Sequence, residues 1–159
     1  VMKLLDKINS QTIILPLKST CKNDVIHELL DYFYKLNYLT STVKLFSYLD
    51  TQDKKFNSAS GRGVAYHYHT SIEVNEMLVV LGISKGGIDY QASDGLLCHF
   101  ILLILEPKDN PNRHRKFISL FQDLIKDSNI KSKLLEATST NEAETIIREW
   151  ENKENYDIL

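Results

Sequence analysis

The sequence is short of cysteine, of long apolar runs and of excess charge of either sign. Its two cysteines, Cys21 and Cys98, are too few for a disulfide framework and form no CxxC pair. No apolar run approaches the roughly 18 residues that a membrane helix needs, and the first residues show no secretory pattern. The formal net charge is −2, so no overall field draws nucleic acid or an anionic membrane to the protein. We therefore expect a cytoplasmic protein without membrane insertion and without direct nucleic-acid binding.

The composition is that of an ordinary globular domain. Of the 159 residues, 43% are hydrophobic and 25% are charged, which is typical of one domain with a buried core. The sequence shows no internal repeat and no second core. We predict a single domain over residues 1–159, with an ordered core at about 3–150, and the length favours a free-standing protein.

Helices and strands follow one another along the whole chain. Apolar residues at helical spacing predict helices; these cover about 23–36, a segment from Ser41 or Thr42, a segment from about Asn112, a short one around Leu134, and a last one opened by Ser139. Strand patterns occupy 12–17, 64–70, 77–83 and 96–105. Segments 51–60 and 84–87 are predicted to be a loop and a turn, and the charged tail from Glu151 is predicted to fray.

Two of the predicted strands indicate the fold class. Met77–Ile83 and Leu96–Leu105 are continuously apolar, which is the pattern of strands buried on both faces. Such strands need helices on both sides of their sheet. We therefore predict an α/β protein with a three-layer sandwich architecture.

The segment 61–70 contains the densest group of chemically capable residues. Gly61, Arg62 and Gly63 give a bare backbone that can approach an anion such as phosphate, or that simply forms a turn. Because side chains alternate along a strand, His67 and His69 share one face while Tyr68 lies on the other. Two histidines at this spacing suit a metal site, but no third ligand follows by spacing, so we predict no metal and no cofactor.

Four blocks of the sequence, in order and spacing, resemble the type-2 enzyme IIA domains of the bacterial phosphotransferase system. This class includes the fructose, mannitol and nitrogen-regulatory domains. The blocks are Leu4–Leu17 with Lys22–Leu30, then Gly63-Val64-Ala65, similar to the start of Gly-[Ile/Val]-Ala-x-Pro-His, then Ile88–Gly95, similar to Ile-x-Phe-x-x-x-Asp-Gly, and last Leu102–Asp109 with His114. The resemblance implies a mixed β-sheet flanked by helices on both faces. It also implies a histidine that accepts a phosphoryl group from the histidine phosphocarrier protein.

The residues at the expected acceptor depart from this pattern. In an ungapped alignment, His67 stands where the family has proline and Tyr68 where it has the phosphorylated histidine, whereas the second histidine is kept as His114. An arginine usual in the family falls at Gln52. Tyrosine has a reference pKa of about 10, so Tyr68 needs a base before it can attack, and its phosphate ester is too stable to hand on. We do not expect a relay through Tyr68.

Three functions follow as hypotheses. The first is a regulatory docking module of the nitrogen-regulatory type, which binds the histidine phosphocarrier protein or a regulated protein through the surface around Tyr68. The second is an active phosphocarrier that uses His67 or His69, with His114 and backbone amides stabilising the phosphoryl group. Because a shift of one residue points a strand side chain to the wrong face, the second hypothesis needs a bulge or a strand end. The third is a domain that binds a metal or a small anion.

Overall fold

The structure is a computed structural model that describes the backbone of residues 2–158 and the side chains of residues 2–153. The strands are Ile13–Ile14 (β1), Ala59–Gly61 (β2), Val64–Ser71 (β3), Leu78–Ile88 (β4) and Cys98–Pro107 (β5). The α-helices are Lys22–Lys35 (α1), Val43–Lys55 (α2), His114–Lys126 (α3), Ser128–Glu136 (α4) and Thr140–Ile158 (α5), and a 3-10 turn covers Leu4–Asp6. Within the described chain, none of these helices combines the length and the apolar character that crossing a bilayer requires.

The strands form one mixed sheet in the order β1-β4-β5-β3-β2. β5 runs antiparallel to β4 and parallel to β3, while β1 is parallel to β4 and β2 is antiparallel to β3. The pairing of β3 with β5 is regular from Val64↔Phe100 to Ser71↔Pro107. The carboxyl ends of these two parallel strands therefore meet at one edge of the sheet, the position where open α/β sheets bind ligands.

A separate hydrophobic core covers each face of the sheet. Phe100, Leu102 and Ile104 of β5 belong to one core, which also contains α3, α4 and α5 residues. The alternate residues Ile101, Leu103 and Leu105 belong to the other core, with residues of α1 and α2. The alternation places successive β5 side chains on opposite faces, and both faces are covered by helices. The predicted three-layer α/β sandwich with a mixed sheet is confirmed.

The predicted turn at 84–87 is wrong, because β4 continues through it to Ile88. The pairing of β4 with β5 shifts register between Ile83 and Ile88, which marks a bulge. Gly87 has a φ of +81°, and its N–H donates to the Ser84 hydroxyl oxygen at 3.0 Å. Ser84, Gly86 and Gly87 thus lie at a bulge within β4, and the strand continues beyond them to Ile88.

The predicted loop over 51–60 is wrong at both ends. Helix α2 continues to Lys55, and Ala59–Gly61 forms the edge strand β2 against β3. The last turns of α2 are stabilised by Asp53, which is buried and whose carboxylate pairs with Lys22 of α1 at 2.8 Å. Strand β1 is shorter than predicted and keeps only Ile13 and Ile14.

Glu151, the residue at which the predicted tail begins, lies within helix α5. Helix α5 continues to Ile158, and Glu151 is buried. The Glu151 carboxylate accepts hydrogen bonds from the N–H groups of Leu4 and Leu5 at 2.7 and 3.1 Å. Glu151 therefore links α5 to the 3-10 turn at Leu4–Asp6 through two hydrogen bonds.

Candidate functional site

The candidate site lies where the carboxyl ends of β3 and β5 meet. Register places Tyr68 beside Ile104 and Thr70 beside Glu106. The chain leaves β5 at Pro107 and re-enters regular structure at His114, the first residue of α3. This path brings the sequence-predicted residues Tyr68 and His114 together from two distant parts of the sequence.

Tyr68 and His114 stack on each other, and a buried carboxylate fixes the histidine. Their ring centroids are 4.0 Å apart, with an angle of 23° between the planes. The Nδ1 of His114 donates to Glu106 Oε1 at 2.5 Å, and the N–H of Arg113 donates to Glu106 Oε2 at 2.9 Å. Glu106 is completely buried. Since a carboxylate accepts the Nδ1 proton, the free lone pair of a neutral His114 ring lies on Nε2.

The Tyr68 hydroxyl is held in its protonated form. Burial raises the pKa of Tyr68 to about 12, and hydrogen bonding to Glu106 and the Glu106 charge add to the increase. The nearby Arg115 opposes this shift. At neutral pH the phenol is therefore a weaker nucleophile than an ordinary tyrosine.

His67 lies on the opposite face of β3 and is enclosed. Its side chain is 2% exposed, its Nε2 is 2.7 Å from the Tyr90 hydroxyl, and its Nδ1 is 3.3 Å from the Ser58 hydroxyl. Burial lowers the pKa of His67 to about 4, with the neighbouring Asp53 opposing and Lys22 adding to the shift. His67 is therefore neutral at pH 7, but both of its nitrogens already have partners.

His67 belongs to a buried polar cluster that was not predicted from the sequence. The N–H of Ser58 donates to Asp53 Oδ1 at 3.0 Å, and Lys22 lies 5.0 Å from the centre of the Tyr90 ring. Burial alone would raise the pKa of Asp53, but hydrogen bonds from Lys22 and Ser58 lower it overall. The members come from α1, α2, the loop before β2, β3 and the loop after β4, so no local sequence signal identifies them.

His69 shares the face of His67 but lies at a groove. Its Nδ1 donates to the Thr70 carbonyl at 2.7 Å, and its ring stacks on Tyr48 with centroids 4.9 Å apart. The groove has a volume of about 820 Å³ and is lined in part by Val43 and Ile72. Because β3 has no bulge in its pairing with β5, neither His67 nor His69 reaches the Tyr68–His114 face.

The predicted phosphate-binding segment, residues 61–63, does not lie beside Tyr68. Gly61 ends β2, and Arg62 and Gly63 form the turn to β3; their φ values are +94°, +59° and +79°. This turn is at the amino end of β3, whereas Tyr68 is near the carboxyl end. The N–H of Arg62 donates to the Asp94 carboxylate at 2.9 Å, so this N–H group already has a hydrogen-bond partner within the protein.

No metal centre is apparent in the part of the chain that the structure describes. There, no three or more histidine, cysteine, aspartate or glutamate side chains are arranged to hold a metal ion. His67 is enclosed in the protein, whereas His69 lines the groove.

Comparisons with known proteins show the family of the chain. The family described as "Phosphoenolpyruvate-dependent sugar phosphotransferase system, EIIA 2" matches residues 6–150. A curated relative is the phosphotransferase-system fructose-specific EIIABC component of Bacillus subtilis (strain 168), which is 26% identical over 138 residues. The match covers 87% of this chain but only 22% of that protein, so the chain spans about a fifth of the relative's length.

Solved structures of enzyme IIA domains share the fold. The nitrogen regulatory protein IIA-Ntr of Neisseria meningitidis aligns with a TM-score of 0.78 and 18% identity, covering 89% of this chain and 97% of its own. The mannitol IIA of Escherichia coli aligns with a TM-score of 0.73 and 18% identity, covering 89% and 99%. A complex of the same bacterium's mannitol enzyme IIA with phosphorylated enzyme IIB gives a TM-score of 0.73 at 17% identity, covering 89% and 97%.

Proposed function

The chain belongs to the type-2 EIIA family of the phosphoenolpyruvate-dependent sugar phosphotransferase system, and on that premise we propose that it is a regulatory docking module. In this proposal the phosphoryl relay is impaired at residue 68, where tyrosine replaces the acceptor histidine. A domain that cannot hand a phosphoryl group on cannot feed sugar uptake. This is why we propose the nitrogen-regulatory type and not a sugar-specific one.

The observation that supports the proposal most directly is the state of Tyr68. Its ring stacks on His114, and its pKa is raised to about 12 by burial and then by Glu106. Histidine forms a phosphoramidate that transfers readily, whereas tyrosine forms a stable aryl phosphate. Tyr68 is thus a poor acceptor and would be a poor donor. Glu106, which hydrogen-bonds to Tyr68, raises the pKa of its hydroxyl, and the same carboxylate also accepts from His114 and the Arg113 N–H.

The surface beside the site has the character of a protein-binding surface. Val43 and Ile72 are 74% and 83% exposed, and Tyr48 is half exposed. These three apolar side chains line the groove of His69, together with the cationic side chains of Lys44 and Lys108. Exposed apolar residues gathered around a groove and rimmed by charge are typical of interaction surfaces. We propose that the partner is the histidine phosphocarrier protein or a protein regulated by this module.

Onward phosphoryl transfer tests the impairment at residue 68. The protein is incubated with phosphoenolpyruvate, enzyme I, the histidine phosphocarrier protein and a cognate enzyme IIB, and phosphate on enzyme IIB is measured. We expect no transfer above the background seen without this protein, and we expect Tyr68→His to create it. Transfer by the unaltered protein at the rate of an active enzyme IIA domain would refute the proposal.

Binding tests the docking surface separately. Titration calorimetry with the histidine phosphocarrier protein is expected to show binding that Ile72→Asp weakens at least about tenfold, a loss of about 1.4 kcal/mol. Phe56→Asp is the matched control, because Phe56 is 78% exposed but lies at the other end of α2. Equal affinities for the two variants would contradict the assignment of this surface.

The second candidate function is a phosphocarrier that uses His69. The observation in its favour is that Nδ1 of His69 donates to a backbone carbonyl, which leaves the lone pair on Nε2. His69 also lines an open groove, whereas His67 is enclosed. An acid-labile phosphate that forms from the phosphocarrier protein and is lost in His69→Gln would establish this function in place of the first.

A further inference from the structure

His114 is held in an orientation that suits a phosphoryl acceptor. Its Nδ1 proton is directed at the completely buried Glu106 carboxylate at 2.5 Å. The two ring nitrogens of an imidazole point in divergent directions, so Nε2 faces away from the buried carboxylate. The His114 side chain is 18% exposed, so part of it is accessible to solvent. A histidine oriented by a carboxylate in this way is a common nucleophile or base in enzymes.

The surroundings of His114 favour a transferred phosphoryl group. Arg113 and Arg115 flank it in sequence, both are exposed, and Arg115 is close enough to Tyr68 to affect its pKa. His114 is the first residue of α3, and the preceding Arg113 makes no side-chain capping bond. The first turn of α3 and the Arg115 guanidinium therefore lie near an anion formed on His114.

We propose that His114 accepts a phosphoryl group on Nε2, and that this modification is what remains of phosphoryl chemistry at the site. The Nε2 lone pair attacks phosphorus, and the bond from phosphorus to the donor's leaving group breaks. With a phosphohistidine donor the leaving group is the donor's imidazole nitrogen, which takes up a proton from solvent. The Nδ1 proton stays in the hydrogen bond to Glu106, whose negative charge balances the positive charge on the phosphorylated ring.

This proposal differs from the docking function, because it needs neither Tyr68 nor the His69 groove. It also differs from the second candidate, since His69 is on the other face of β3. The modification puts a dianion beside Tyr68, whose ring stacks on His114.

A small-molecule donor tests the proposal without any partner protein. The full chain is incubated with phosphoramidate, a phosphoryl donor whose P–N bond breaks to release ammonia. Intact mass is followed over time, and the modified residue is located in the unaltered protein by tandem mass spectrometry under alkaline conditions. We expect one acid-labile phosphate on His114, absent in His114→Gln and formed at the normal rate in His27→Gln, which changes an exposed histidine on α1.

Several results would overturn the proposal. These are phosphate located on His69 or another residue, its persistence in His114→Gln, or no phosphate under conditions that modify the Tyr68→His variant. Locating the phosphate in the unaltered protein keeps the test valid if His114→Gln folds poorly. The docking experiment uses a different readout, so failure of His114 to react leaves the proposed function standing, and failure to dock leaves this proposal standing.

Discussion

His67 is the residue whose chemistry is changed most by its position. Burial lowers its pKa to about 4 from the reference value of 6.5. In the unfolded chain the same imidazole would be protonated below about 6.5. Between these two values the unfolded state binds a proton that the folded state does not, so acid draws the equilibrium towards unfolding.

The first prediction concerns this proton. The contribution of His67 to the free energy of unfolding is fully present above pH 6.5. It is lost as the pH falls towards 4, because the pKa of His67 is lower in the folded state than in the unfolded state. The shift corresponds to about 3 kcal/mol of unfolding free energy lost between pH 7 and pH 4 through this residue. Urea unfolding across that range should show a steeper decline for the unaltered protein than for His67→Gln. Parallel pH profiles for the two proteins would contradict the prediction.

The residues of the site show where sequence reasoning succeeds and where it stops. Strand alternation correctly separates Tyr68 from His67 and His69, since it depends only on backbone geometry. The contact between Tyr68 and His114 agrees with the family resemblance. The enclosure of His67 was not predictable, because its partner Tyr90 is 23 residues away and its partner Ser58 lies in a segment predicted as loop.

At the scale of the elements, Asp53 connects three of them. Its carboxylate pairs with Lys22 at the start of α1 and accepts from the Ser58 N–H ahead of β2. Asp53 is 6% exposed, so removing it would leave Lys22 without its partner and an N–H group without its acceptor. A partner removed from a buried pair costs more than the pair contributes when intact.

The second prediction compares two aspartates of α2. We expect Asp53→Ala to lower the free energy of unfolding by about 2–3 kcal/mol, somewhat below the range for fully buried pairs because Lys22 is partly exposed. Asp50→Ala is the control, since Asp50 pairs at 2.9 Å with the largely exposed Lys54. Exposed pairs of this kind contribute about 0.5 kcal/mol or less. Equal losses in urea unfolding would show that burial does not strengthen the Asp53 interaction.

The elements were predictable where periodicity is strong and were missed where tertiary contacts override local preference. The apolar spacing of Val25, Ile26, Leu29 and Leu30 predicts α1, and the structure confirms the helix. Segments 51–60 and 84–87 are rich in residues that favour turns. The first becomes helix and strand because Asp53 is anchored, and the second becomes a bulged strand because it pairs with β5.

For the molecule as a whole, the layers were predictable but the sheet order was not. Two strands that are apolar throughout need cover on both faces, which requires three layers whatever the connections. The order β1-β4-β5-β3-β2 depends on pairings between distant segments, such as Ile13 of β1 with Leu81 of β4. Nothing in the local pattern of a two-residue strand specifies such a partner.

The third prediction concerns a contact between α5 and the 3-10 turn at Leu4–Asp6, two elements that are far apart in the sequence. Glu151 of α5 accepts from the N–H groups of Leu4 and Leu5, and the Leu4 contact joins residues 147 apart. Since Leu4 is completely buried, its N–H would lack a partner in Glu151→Ala. We expect a loss of about 2–4 kcal/mol, because the buried bond to Leu4 contributes about 1.5–3 kcal/mol and the partly buried bond to Leu5 about 0.5–1 kcal/mol.

Hydrogen exchange distinguishes this specific effect from general damage to α5. In Glu151→Ala the amide of Leu4 should exchange faster by the factor that corresponds to the lost stability, while Glu151→Gln should retain part of the protection through its carbonyl oxygen. Glu149→Ala, an exposed position on the same helix, should change stability by about 0.5 kcal/mol or less. If the Leu4 amide stayed as protected in Glu151→Ala as in the unaltered protein, the carboxylate would not be what joins the ends. The stability of α5 would then come from its apolar contacts with the core, such as those of Ala143 and Ile147.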